Sequence, residues 1–185
     1  MKTNLISMLF ILAALLNNTR AEAQTPASES SSDKDEHVHV MNTFRFEVVA
    51  PMASVAPLFG PEAERSWAGQ HWDPIFLFPA PGRDVEGAVF RVKRGPLESI
   101  WVNTRFDVPG GHMQYVSVIP DHVATTVDVR VTALSSSRTS VEVTYARTAL
   151  NPSANNEVRQ LGTNDRGSGP EWQHGVETAL GLTKE

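Results

Sequence analysis

In "VEVTYARTAL", residues 141–150, a phenol and a guanidinium stand two positions apart. On an extended chain Val141, Val143, Tyr145 and Arg147 share one face, because successive side chains alternate. If that face turns inward, an unpaired guanidinium in apolar surroundings is costly. Arg147 then needs an acidic side chain or an anionic ligand such as a carboxylate. The alternative is that Arg147, near the strand end, reaches solvent while its stem stays buried.

A second stretch, "ERSWAGQHWDPIFLFPAPG" (64–82), holds Trp67, His71, Trp72, Phe76 and Phe78. The aromatics suit the mouth of an apolar pocket, with His71 as one polar contact. They equally suit ordinary packing of short helices onto a sheet, the commoner use of tryptophan. The strand "ESIWVNTRFDV" (98–108) leaves its facing open. Ile100, Val102 and Phe106 suggest a buried side, while Trp101, Asn103 and Arg105 form either solvated surface or the polar wall of a pocket.

Other chemistries find less support. His37 and His39 in "DEHVHV" flank one residue and could share a metal, yet no other pair has ligand spacing, and His71, His112, His122 and His174 stand singly. A solvated polar segment is the better reading, so no metal site and no cofactor is expected. The chain has no cysteine, which removes thiol nucleophiles, thiolate metal sites and disulfides. A G-x-S-x-G elbow is lacking too, and Asp121-His122 falls at a turn where neighbours point apart.

The elements that must position these residues follow a short leader. Lys2, the apolar run "LISMLFILAALL" (5–16) and Ala21-Glu22-Ala23 read as a secretory signal peptide over residues 1–23. The apolar run is shorter than the roughly 20 residues of a spanning helix, which argues against a membrane anchor. An exported protein, periplasmic or secreted, is therefore expected, with no stable membrane insertion after cleavage. Residues 24–40 are mostly polar and Ser-rich and predict a disordered linker. The formal net charge is −5, and it becomes one unit more negative without the leader's Lys2, Arg20 and Glu22. Such a chain offers no basic footprint for nucleic acid or for anionic lipid.

From residue 41 to 183 one domain is expected. "TFRFEVV" alternates as a half-buried strand, with Phe44, Phe46 and Val48 on one side. "PMASVAPLFG" and "PEAERSWAG" predict two short helices, each opened by proline. Strands follow over 74–79, 88–94, 98–108, 112–120, 122–134 and 140–150, separated by Pro-Gly, Gly-Pro, Pro-Gly-Gly, Pro-Asp and Ser-Ser-Ser turns. Short turns between sequential strands imply an antiparallel meander. Val123, Val127, Val129 and Val131 share a face. A helical period then sets in, broken by "GTNDRGSGP" (162–170), and Trp172, Val176 and Leu180 recur at spacing four. The fold class is α+β: a curved antiparallel sheet of six to seven strands around a C-terminal helix, with two short helices after the first strand.

The segments "ERSWAGQHWDPIFLFP", "GAVFRV", "WVNTRFD", "YVSVIP" and "VEVTYARTALNP" resemble the SRPBCC superfamily of START, polyketide cyclase/dehydrase and birch-pollen-allergen-like helix-grip proteins. The resemblance spans roughly residues 42–182 and departs from the pattern at Gly167, Gly169 and Pro170, which should divide the C-terminal helix. It implies a cavity between sheet and helix that binds a small, largely apolar, lipid-like or polyketide-like molecule. The lining it implies is Trp67, His71, Trp72, Phe78, Phe90, Tyr145, Arg147 and Trp172. A cyclase/dehydrase-type enzyme using His71, Tyr145 or Arg147 for proton transfer is the alternative. A ligand-free module whose outer face meets a protein is another. No catalytic signature decides between them.

Overall fold

The computed structural model describes residues 36–183. The expected signal peptide lies outside the described residues, as does most of the expected linker. The linker's last residues are tied down, however. His37 Nδ1 meets the Ala149 carbonyl at 2.8 Å, and the Val38 amide donates to Asn155 Oδ1 at 2.9 Å. The first strand already starts at His39, short of the expected boundary.

Seven strands form one sheet in the order β1-β7-β6-β5-β4-β3-β2. They are β1 (His39–Val48), β2 (Ile75–Phe78), β3 (Val89–Arg94), β4 (Leu97–Asp107), β5 (His112–Ile119), β6 (Val123–Ser135) and β7 (Arg138–Ala149). All neighbours run antiparallel, as the short turns require. Between β1 and β2 lie α1 (Met52–Val55) and two 3-10 turns, Ala56–Phe59 and Ala63–Ser66. Proline at the start and the Pro57/Gly60 interruption keep these pieces to single turns.

The concave face carries the core. Phe44, Phe46 and Val48 of β1, Met113 and Tyr115 of β5, Val127, Val129 and Val131 of β6, and Val141 and Val143 of β7 are all buried in one cluster. Each fully buried valine contributes on the order of 1.5–3 kcal/mol of apolar transfer. The period-two pattern therefore chose the buried face on β1, β6 and β7 as expected.

Strand β4 corrects the sequence-based grouping. A bulge interrupts its pairing with β5 between Asn103 and Arg105. The extra residue reverses the alternation. Ser99, Trp101 and Asn103 face inward before the bulge and Phe106 after it, whereas Ile100 is 38% exposed. No single period could have grouped these residues correctly.

The C-terminal helix is divided, but less than the glycines suggested. After a 3-10 turn at Pro152–Ala154, α2 (Asn155–Gly167) runs through the expected interruption, and only Ser168 separates it from α3 (Gly169–Ala179). Gly162 survives inside α2 for a packing reason. A Cβ there would stand 2.9 Å from Val40 Cγ2 and 3.0 Å from Asn42 Nδ2. Both helices pack across β1, and α2 also crosses β7. Among the described residues, no helix is long and apolar enough to cross a membrane.

Candidate functional site

The 3-10 turn Ala63–Ser66 brings a carboxyl group into the interior. Glu64 is 6% exposed, and the Tyr115 hydroxyl donates to its Oε1 at 3.3 Å. Burial pushes the Glu64 carboxyl up to about 8; the Tyr115 bond opposes the rise and nearby Asp84 adds to it. Burial likewise raises the Tyr115 phenol well above its ordinary value. At neutral pH this is a neutral pair of acids. Asp84 holds the turn from outside, its carboxylate accepting from the Glu62 amide at 2.7 Å and the Ala63 amide at 3.1 Å. Gly60 permits that approach, since a Cβ there would lie 2.2 Å from Asp84 Cγ.

Asn103 lies directly across the β4–β5 ladder from Tyr115, on the same face. It is fully buried. Its Nδ2 donates to the Val85 carbonyl at 3.0 Å, while its Oδ1 has no hydrogen-bond partner among the described residues. Trp101, two residues earlier, donates from Nε1 to Ser99 Oγ at 2.7 Å. A glutamic acid, a phenol and an amide thus share one region of an otherwise apolar concave face.

Aromatic rings surround that region. Trp72 meets Trp101 edge-on at 5.3 Å and Phe90 at 6.0 Å, and Phe90 stacks on Trp101 at 5.9 Å. Trp101 in turn lies edge-on to Tyr115 at 6.5 Å. A second group joins Trp67, Phe59 and Phe44 to Trp172, with Trp67 and Trp172 at 5.1 Å. Outside them is an open depression of about 500 Å³ lined by Arg65, Ser66, Trp67, Gly69, Gln70, Trp72 and Asp73. Trp67 and Trp72 belong to both the depression and the interior packing. Their indoles are anchored, Trp67 Nε1 donating to the Leu58 carbonyl and Trp72 Nε1 to the Pro61 carbonyl, each at 2.8 Å.

Arg147 faces inward beside Tyr145, its guanidinium carbon 4.5 Å from the phenol ring centre. It finds the acidic partner that the sequence called for. Nε and Nη2 donate to the two oxygens of Asp165 at 2.7 and 2.8 Å, and Nη1 donates to Thr125 Oγ1 at 3.2 Å. All three nitrogens are engaged, which opposes the anionic-ligand role considered for this residue.

The eight residues expected to line the site therefore separate. Trp67, Trp72, Phe90 and Trp172 meet in the aromatic groups, and Trp172 also touches Tyr145 at 6.2 Å. Tyr145 and Arg147 lie toward α2 with Asp165. His71 is exposed, and Phe78 is 59% exposed on the edge strand β2, where Phe76 instead packs on Phe90 at 5.6 Å. His71 and Phe78 stand apart from the interior because the bulge at Phe76/Phe78 and the turn before Trp72 direct them outward.

Sequence reasoning missed Glu64, Tyr115, Asp84 and Asp165, and it left Asn103 open between solvated surface and pocket wall. Asp165 had a signal: Val158, Gly162 and Asp165 follow helical spacing and are the buried positions of α2. Glu64 had none, since a lone acid in a polar, single-turn segment reads as surface.

No family model matches the chain, and no curated relative matches it. Solved structures do. Norcoclaurine synthase from Thalictrum flavum aligns with a TM-score of 0.61 at 12% identity, covering 80% of this chain and 97% of that one. The same enzyme in complex with dopamine and hydroxybenzaldehyde gives 0.59 at 11% identity, covering 89% and 99%. An uncharacterized protein from Rhizobium leguminosarum gives 0.54 at 20% identity, covering 77% and 97%. At these identities the likeness concerns architecture. The chain has the helix-grip fold, and the likeness to these structures extends to that fold alone.

Proposed function

We propose that this protein binds a small, largely apolar molecule on the concave side of its sheet, beneath the C-terminal helices. The observation that carries the reading is the double role of Trp67 and Trp72. Both line the open depression, and both pack against the interior aromatics. The indole of Trp72 stands between outside space and the ring of Trp101, so its displacement extends the depression into an apolar, aromatic interior. Pockets for small ligands have this composition, with a few polar groups for orientation. The apolar leader supports placing the binding event in an exported compartment.

The test is native mass spectrometry of the full chain expressed with its leader and purified from the exported fraction. The expected result is a protein lacking residues 1–23 that carries a non-covalent small-molecule mass. A bare protein mass, together with failure to retain 2-methylnaphthalene or 2-naphthol in equilibrium dialysis, removes the reading.

One observation favours an enzyme as the second reading. Glu64 is a buried acid that keeps its proton at neutral pH beside a phenol, the state a general acid requires. Its role replaces the one considered for His71, which is exposed, and Arg147, which is paired. Turnover of the co-purified molecule by the wild type and its loss in Glu64→Gln would support this reading.

A further inference from the structure

We infer that Asn103, Glu64 and Tyr115 form an uncharged anchor for a single hydroxyl group on an otherwise apolar ligand. The inference rests on the binding reading above and adds the chemical class of the ligand.

Asn103 supplies the acceptor. Its side chain is fully buried, and the bond from Nδ2 to the Val85 carbonyl fixes which way the amide points. Turning the amide over would set Oδ1 against that carbonyl, two acceptors face to face. Oδ1 is thus held toward the interior without a partner among the described residues. A buried acceptor left unpaired is costly, and a ligand donor would recover that cost.

Glu64 supplies the donor. Tyr115 has one hydroxyl proton and directs it to Glu64 Oε1, so Tyr115 cannot serve Asn103. The Glu64 carboxyl, kept protonated at neutral pH by burial, retains a proton to give. One free acceptor and one free donor, on the two neighbours that Tyr115 links, match a hydroxyl, which donates once and accepts. Tyr115 orients the acid and stands between the two groups across the ladder.

Charged heads fit less well. A carboxylate could accept from Glu64 but would set its charge against Asn103 Oδ1 in apolar surroundings, and the buried guanidinium of Arg147 is held by Asp165. An ammonium would require Glu64 to ionise in apolar surroundings.

Equilibrium dialysis of the full-length mature protein at pH 7 tests this with four probes of one ring system. They are 2-naphthol, 2-methylnaphthalene, 2-naphthoate and 2-naphthylmethylammonium. The expected result is 2-naphthol tighter than 2-methylnaphthalene by about tenfold or more, with both ions weaker than 2-naphthol. In Asn103→Leu the hydroxyl preference falls to about onefold while 2-methylnaphthalene still binds. If Asn103→Leu does not fold, Glu64→Met gives the same reading, and Glu64→Gln, which keeps an N–H donor, retains the preference. Equal binding of 2-naphthol and 2-methylnaphthalene by the wild type overturns the hydroxyl anchor but leaves the binding reading standing. Tighter binding of either ion overturns it in the same way. No binding of any probe overturns both.

Discussion

Arg147 and Asp165 close a two-point ion pair, at 2.7 and 2.8 Å, between β7 and α2. Their side chains are 15% and 6% exposed. The pair joins sheet to helix through charge, with Thr125 Oγ1 accepting from the remaining guanidinium nitrogen. It also accounts for the arginine on an inward face, which otherwise suggests an anionic ligand.

Removing one partner should therefore be far worse than removing both. Asp165→Asn leaves a guanidinium buried without its counter-charge and is expected to cost about 3–5 kcal/mol. The double change Arg147→Met with Asp165→Leu should cost clearly less than the sum of the single changes. Urea unfolding of the four proteins measures the coupling. Additive losses would show that the pair contributes nothing specific.

Glu64 sets a pH dependence of the opposite sign to that of most carboxylates. Its folded-state value, about 8, lies above the ordinary value of 4.5. The folded protein thus binds the extra proton between those limits, and stability falls as pH rises through the window. The contribution is complete below about pH 4.5 and lost above about pH 8. Glu64→Gln removes the titration. The difference in Tm between Glu64→Gln and wild type should therefore grow from pH 5 to pH 8, at roughly 2–4 °C per kcal/mol. A difference independent of pH would mean that Glu64 titrates normally.

What could be read from the sequence depended on periodicity. Phe44, Phe46, Val129 and Val143 declared their face because an uninterrupted strand alternates strictly, and each is buried. Trp101 and Asn103 did not, because the bulge before Arg105 combines two alternations in one strand. Trp67 and Trp72 were recognisable as aromatics near a pocket, though not as side chains shared by depression and core. Glu64 was illegible for a different reason. Its burial depends on Tyr115, fifty-one residues away, and on the carboxylate of Asp84 capping its turn. Local pattern carries no record of either.

Two glycines of α2 should respond in opposite directions to alanine. Gly167 has nothing within 4 Å of the position a Cβ would take, so Gly167→Ala should gain part of the roughly 1 kcal/mol helix preference of alanine. Gly162→Ala gains the same preference but presses on Val40 and on Asn42, which Arg166 Nε holds by a 2.6 Å bond to Oδ1. The net effect there should be destabilising, by about 1 kcal/mol or more. Thermal melts that shift in the same direction for both variants would show that α2 does not need to approach β1 this closely.

Trp72 should govern the rate at which a ligand reaches the interior. Its ring covers Trp101 and Phe90, and one hydrogen bond to the Pro61 carbonyl holds it there. The turn before it, closed by the Trp72 amide on the Gly69 carbonyl at 3.1 Å, lies on the rim of the depression. Trp72→Ala removes the obstruction and leaves the Asn103, Glu64 and Tyr115 groups unchanged. Association of 2-naphthol, followed by stopped-flow fluorescence, should accelerate about tenfold or more, and dissociation should accelerate as well. The preference for 2-naphthol over 2-methylnaphthalene should persist, because that preference is set behind the indole. If the rates stay as in the wild type, the ligand reaches the concave face by another route. If the preference disappears with Trp72, the polar discrimination belongs to the indole N–H and not to Asn103.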